Sequence, residues 1–413
     1  MRSSKQFAIL AVLLAAPPAF ATNGMRMIGF GPTQNAMGGV SVGAPLDAAV
    51  MATNPAGLTE TGLRLDVGLT YFDPTVKYSA TGIAPPFVSS SAEQTSDRGA
   101  SWIPSVALAY PLGEKLVLGL GLFGVAGMGV DYKDPNLYGG PTKTSYLQAR
   151  VTPSVAMKLP FGLSAGLTLN AMYATMEYDV AAGFGMVPRK SVSSMGYGAT
   201  LGVLWKALDI LTVGAAYETK SDFQDFEFDV PANNAFGNPF PGGKEKLAFD
   251  QPPAFTLGAS VRPLPGFIVA ADVEKIWWSN TNGKDMPKFS TSNTTGYLPW
   301  NMSWSDQMVY KLGVEFPILP TLHVRLGYNH GKMPLDADRA FENVAFPAVV
   351  EDHYTAGLRV KVGPAEIAAA AVYAPEAKLS GANDQPPPDG QGIASYTTRM
   401  SQMQYDLGAS FSW

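Results

Sequence analysis

Period-two alternation of apolar and polar residues, repeated along most of the chain, narrows the possible folds more than any other feature of this sequence. Between Leu63 and Tyr71 the residues Leu63, Leu65, Val67, Leu69 and Tyr71 fall on one face and their neighbours on the other, which is the pattern of a strand with one apolar side. The pattern returns at 102–110, 116–127, 146–159, 163–179, 195–205, 210–220, 254–261, 267–279, 306–316, 321–329, 353–362, 365–373 and 404–413. The total is about fourteen, and single-chain bacterial membrane barrels have an even number of antiparallel strands. The fold class expected is therefore all-β, a transmembrane antiparallel barrel.

The connections are of two kinds, and they alternate. Short turns lie at 111–114, 160–162, 206–209, 263–266, 317–320 and 363–364. Longer polar segments lie at 73–100, 128–145, 180–194, 221–253, 280–305, 330–352 and 374–403. Short periplasmic turns opposite long extracellular loops are the expected asymmetry of an outer-membrane barrel, and they put both chain ends on the periplasmic side.

The start of the chain gives an address. Arg2 and Lys5 precede an apolar run from Phe7 to Ala16 and then Ala19-Phe20-Ala21, the pattern of a secretory signal and its small-residue cleavage site. Residues 1–21 are read as a signal peptide, 22–62 as a separate leading segment and 63–413 as the barrel. The apolar run is too short to span a bilayer as a helix. Cysteine is absent, which excludes disulfides, thiol nucleophiles and thiolate metal sites. A net charge of -5 with 15% charged residues argues against nucleic acid as a partner, since a phosphate-binding surface needs a basic excess.

Face assignment is clearest in the last strand. Tyr405, Leu407, Ala409, Phe411 and Trp413 point towards lipid, while Gln404, Asp406, Gly408, Ser410 and Ser412 point inward. Tyr71, Trp102, Tyr217, Trp277, Tyr328, Tyr354 and Tyr373 are expected at the outer membrane interface, and Tyr110, Trp205, Phe267, Phe316 and Trp413 at the inner one. The same parity turns Arg64, Asp66, Arg150, Lys158, Glu218, Arg262, Asp272, Glu274, Lys311, Glu315, Arg325, Arg359 and Lys361 inward, where opposite charges can pair.

Residues 22–62 fit neither a strand nor a long helix. They carry a glycine-rich run, Gly29-Phe30-Gly31 through Ala36-Met37-Gly38-Gly39-Val40, then Asp47-Ala48-Ala49, then Asn54-Pro55-Ala56-Gly57-Leu58. Such a backbone packs closely against itself and a surrounding wall. Pro55 fixes its own φ, biases Asn54 to an extended conformation and leaves the Asn54 amide free to bond nearby backbone, so Asn54, Pro55, Ala56 and Gly57 form a rigid corner. Placed between a signal peptide and a first amphipathic strand, this stretch resembles the FadL family of bacterial outer-membrane transporters for fatty acids and other hydrophobic molecules. The resemblance implies that the segment is a plug, or hatch, inside the barrel. It also implies that the third strand is kinked, making a gap in the wall through which substrate leaves sideways. Gly119, Gly121, Gly124, Gly127 and Gly129 lie on that strand and are the candidates for the opening, with room for a bulky plug or a twisted neighbour as the alternative. The closing Trp413 resembles the assembly signal read by the barrel-assembly machinery, although Phe is more usual there.

Capture of an apolar molecule is expected on the extracellular loops, at Phe223, Phe226, Phe228, Phe236, Phe240 and Phe249 and around Phe184, Met186 and Val187. Each CH₂ leaving water contributes about 0.8 kcal/mol. Met25, Met27, Ile28 and Phe30 are candidates for closing a pocket beside the plug, because Met adapts to ligands of varied shape; anchoring of the plug is the alternative. Arg150, Lys311 and Arg325 are carboxylate-binding candidates from charge alone.

Enzymatic readings fare poorly. His323, His330 and His353 show no metal-binding spacing, and no cofactor is implied. The expected partners are a hydrophobic small molecule and the outer membrane's own lipid and lipopolysaccharide. Fatty acids are the default cargo, and aromatic or aliphatic hydrocarbons come second. A non-selective porin and a lipolytic barrel enzyme are the rivals from other classes.

Overall fold

The computed structural model of the protein describes residues 23–82, 91–134, 141–179, 189–232, 242–284, 286, 301–382 and 395–413. The signal-peptide segment and Phe184, Met186, Val187, Phe236 and Phe240 lie outside the described residues.

Fourteen antiparallel strands form a closed barrel. In chain order these are β1 (Arg64–Thr81), β2 (Ser101–Leu112), β3 (Leu116–Met128), β4 (Thr142–Lys158), β5 (Leu163–Asp179), β6 (Arg189–Leu208) and β7 (Leu211–Glu218). They continue as β8 (Ala254–Leu264), β9 (Phe267–Ile276), β10 (Gln307–Leu319), β11 (Leu322–Gly331), β12 (Asp352–Val362), β13 (Ala365–Ala382) and β14 (Ser395–Ser412). Closure comes from β1 and β14, which pair without a shift from Arg64↔Ser412 to Thr81↔Ser395. No sheet edge is left there, as a hydrocarbon environment demands.

Outward side chains are apolar and exposed, for example Leu257, Leu312, Leu326 and Leu407, while their neighbours Thr256, Lys311, Arg325 and Asp406 are buried. Aromatic pairs mark the outer interface: Tyr71 and Trp102 meet edge to face at 4.9 Å, and Tyr328 lies 5.3 Å from Tyr354. The short turns carry left-handed residues, such as Gly113 with φ 76°, where a side chain would be strained.

Several strands run further than the apolar pattern reaches. β1 continues to Thr81, β13 to Ala382 and β14 begins at Ser395, in stretches read above as loops. Beyond the aromatic belt neither face needs apolar residues, so the alternation fades although the hydrogen-bond ladder persists.

Residues 23–62 occupy the interior and contain one short helix, α1 (Gly31–Asn35), with 3₁₀ turns at Ala48–Ala52 and Pro55–Glu60. Inward side chains hold them. Asp272 of β9 accepts the Ser41 and Val42 amides at 2.8 and 3.0 Å, and Asp66 of β1 accepts the Ala48 amide at 2.7 Å. Asp406 of β14 accepts the Asn35 side-chain amide at 2.9 Å. The Asn54 Nδ2 donates to the carbonyls of Val42 at 2.8 Å and Val203 of β6 at 3.1 Å, while its Oδ1 accepts from the Ala56 amide at 3.2 Å. The approach to the wall is close enough that a Cβ on Gly43 would fall inside the Gly258 and Ala259 backbone.

Candidate functional site

A small cavity of about 50 Å³ opens between the leading segment and the wall. Its apolar lining includes Met27, Ile28, Phe30, Val42, Val125 and Ile276. Its charged lining is Arg26, Arg150 and Lys311 against Glu218 and Glu274. Arg150 pairs with Glu218 at 2.8 Å, donates to the Ala52 carbonyl at 3.1 Å and lies 5.5 Å from the centre of the Phe30 ring. Lys311 pairs with Glu274 at 2.8 Å, and Arg26 reaches Glu218 at 2.5 Å and Glu274 at 3.9 Å. Asp272, the cross-strand partner of Lys311, adds a third carboxylate, so three cations meet three carboxylates around this cavity.

The site candidates divide accordingly. Arg150 and Lys311 share this cavity, whereas Arg325 sits in a ring of ion pairs, bound to Glu315 at 2.5 Å, and donates to the Thr33 hydroxyl at 3.2 Å. That ring continues through Arg359 and Glu366 to Arg64 and Asp66 near the short-turn end. Asp47 faces it from the leading segment; burial, with Asp66 beside it, pushes its carboxyl up to about 7, against the pull of Arg64. Met27, Ile28 and Phe30 line the cavity, and Met25 is fully buried above it with its sulfur 3.3 Å from the Gln251 amide.

Above the cavity an apolar cluster closes the loop end. The hairpin of Phe226–Val230 and Gly243–Leu247 turns Phe226, Phe228, Val230 and Leu247 inward, and Phe249 lies 4.8 Å from Tyr146. Trp278 and Trp304 meet edge to face at 4.9 Å. Phe226, Phe228 and Phe249 are thus core residues of the cap rather than an exposed surface. Phe223 is partly buried against it, stacked on Phe226 at 6.5 Å.

The third strand is paired unevenly. β2 and β3 pair from Leu112↔Leu116 only as far as Ser105↔Phe123. Beyond that point β3 keeps its other neighbour, β4, with a register shift between Gly124 and Ala126. The free edge of β3 is met from inside: the Met27 amide donates to the Val125 carbonyl at 3.2 Å and the Gly127 amide to the Met25 carbonyl at 3.1 Å, around an Arg26↔Ala126 bridge. Pro104 sits where β2 loses its β3 partner, as expected of a strand edge. A Cβ on Gly119 would press on Leu58 and Met51, one on Gly121 on the Phe123 ring, and one on Gly124 on Ile103. Gly127 lies in the stretch beside the leading segment, and Gly129 follows the last residue of β3.

Arg26 was not among the candidates, although a cation between two methionines in an apolar stretch is a readable signal. Gln148 and Gln251, which also line the cavity, carry no comparable mark. Among the described residues no cluster of His, Asp and Glu is arranged to hold a metal ion.

A closed fourteen-stranded barrel with a lipid-facing apolar girdle and an occupied interior is an outer-membrane protein. Residues 10–361 match the family described as outer membrane protein transport protein (OMPP1/FadL/TodX), and the chain belongs to it. Among its relatives is outer membrane protein P1 of Haemophilus influenzae, 23% identical over 89% of this chain and 90% of that protein. The crystal structure of the Pseudomonas putida toluene transporter TodX superposes with a TM-score of 0.73 at 18% identity, covering 93% of this chain and 99% of that one. A Pseudomonas aeruginosa FadL homologue gives 0.71 at 17% identity, covering 96% and 100%. At such identities the two structures speak to the fold.

Proposed function

We propose that the protein carries long-chain carboxylic acids across the outer membrane. The observation that carries this reading is the gathering of three cations at the cavity, Arg150, Lys311 and Arg26, with Glu218 and Glu274 beside an apolar lining. A carboxylate can join that cluster with charge-assisted hydrogen bonds, and its chain lies along Met27, Ile28 and Phe30. A neutral hydrocarbon accepts no hydrogen bond from these cations. Aromatic hydrocarbons are the second reading, favoured by the likeness to a structure described as a toluene transporter.

In this reading residues 23–62 act as a plug and the route is passive. Cargo enters past the apolar cap, rests in the cavity, and leaves sideways where β2 and β3 part, once the Met25–Met27 stretch releases the β3 edge. Nothing in this route calls for a catalytic group. Insertion of the barrel by the assembly machinery through β14 completes the proposal.

Titration of purified protein with hexadecanoate and hexadecanol tests it. Arg150→Gln is expected to weaken hexadecanoate at least about tenfold, roughly 1.4 kcal/mol, and to leave hexadecanol within about twofold. Equal affinity of the unaltered protein for acid and alcohol would remove the carboxylate from the reading.

A further inference from the structure

A partly buried guanidinium stands at the outer end of the parting between β2 and β3, and the cavity does not use it. Arg98 lies three positions before Ser101, where β2 begins. Its Nη1 donates to the Thr144 carbonyl at 2.6 Å and its Nη2 to the Ser145 hydroxyl at 3.0 Å, both on β4. The same Nη1 is 3.0 Å from where a Cβ on Gly129 would be, one residue past the end of β3. Ser101 to Pro104 and Gly124 to Met128, the stretches over which β2 and β3 do not pair with each other, thus both end close to this side chain.

Its charge is not compensated. The Arg98 Nε is buried with no hydrogen-bond partner. Glu177 and Asp131 are the acids that attract it, but Glu177 is paired with Lys143 at 3.0 Å and Asp131 with Lys133 at 2.6 Å. Burial pushes the guanidinium down to about 10, with both acids pulling the other way, as expected for a cation taken out of water without its own counter-ion. Below it, on the β2 side, Trp102 is 53% exposed on the lipid face and Ile103 packs with Met27 and Phe72. A polar group that can take an anion therefore stands at the outer end of the parting, four residues before a lipid-facing tryptophan.

We propose that Arg98 is an anion-receiving site of the lateral exit, which takes the anionic headgroup of an amphiphile standing in the parting with its chain towards lipid. The proposal rests on the lateral-release reading above. A guanidinium suits carboxylate and phosphate alike because its planar donors bind two oxygens at once. The headgroup is therefore either that of departing cargo or a phosphate of lipopolysaccharide in the outer leaflet.

The test compares the unaltered protein, Arg98→Gln and Arg98→Lys in liposomes with and without lipopolysaccharide, using uptake of hexadecanoate and hexadecanol. Lipopolysaccharide retained per barrel is measured by mass spectrometry, and heat-modifiable migration confirms that each variant is folded. If cargo is the anion, Arg98→Gln lowers hexadecanoate uptake at least about fivefold, leaves hexadecanol unchanged and keeps the unaltered affinity for hexadecanoate in detergent, while Arg98→Lys restores most of the uptake. If lipid is the anion, Arg98→Gln loses retained lipopolysaccharide and uptake is unchanged. An equal fall for acid and alcohol, or no change in either readout, overturns the proposal. Failure of the unaltered protein to bind hexadecanoate at all would instead strike at the cavity reading, and the lipopolysaccharide measurement would still decide the fate of Arg98.

Discussion

Replacing Asp272 with alanine is expected to unseat the leading segment and turn a closed barrel into a conducting one. Asp272 reaches inward from β9 and its Oδ2 accepts both the Ser41 and Val42 amides. Both donors and the acceptor lie in a buried region, so the variant leaves two amides without a partner. Each such loss costs about 1–3 kcal/mol, and the two together are large against the few anchors that hold 23–62 to that side of the wall. Planar-bilayer recording should show channel activity several-fold above that of the unaltered protein, with Asp272→Asn in between because it keeps one acceptor oxygen. Unchanged conductance would mean that Asp66, Asp406 and Asn54 suffice to hold the segment.

The second large effect concerns release. Arg26 and Ala126 are partners in an antiparallel bridge, a pair whose Cα separation suits a disulfide, and the chain contains no cysteine to interfere. In the double variant Arg26→Cys, Ala126→Cys, oxidation is expected to staple the leading segment to the free edge of β3 and bring cargo uptake down to that of protein-free liposomes. Reduction should return it to the level of Arg26→Ser, Ala126→Ser, which shares the loss of the arginine without the staple. If the oxidised protein transports as well as the reduced one, cargo does not leave by this edge.

Much of the architecture can be read from the sequence because lipid on one side and a polar interior on the other impose a period of two that few other settings demand. Leu407 and Asp406, or Leu312 and Lys311, declare their faces without help from the rest of the chain. The strands' outer ends could not be read in this way: at Lys77, Glu93 and Arg399 the side chains pair with one another in water, and nothing distinguishes such a stretch from a polar loop. The inward charges at Arg150 and Lys311 are visible from parity, but their meeting in one cavity depends on strands distant in sequence, and parity gave Arg325 the same standing although it belongs to another network. Phe226 and Phe249 illustrate the opposite limit. A phenylalanine among Asp and Pro reads as an exposed loop residue, and only the folded hairpin shows that it faces the core. Arg98 lies in a stretch without periodicity, so its position over the β2 and β3 edges could come only from the structure.

The most direct measurement is to extract the protein from its native membrane in mild detergent, wash away loosely held lipid and identify what remains by mass spectrometry. Long-chain fatty acids are expected at close to one per barrel in the unaltered protein and should be depleted when Arg150 and Lys311 are both replaced by glutamine. Recovery of neutral hydrocarbons alone, or fatty acid retained equally by the double variant, would contradict a carboxylate held in this cavity.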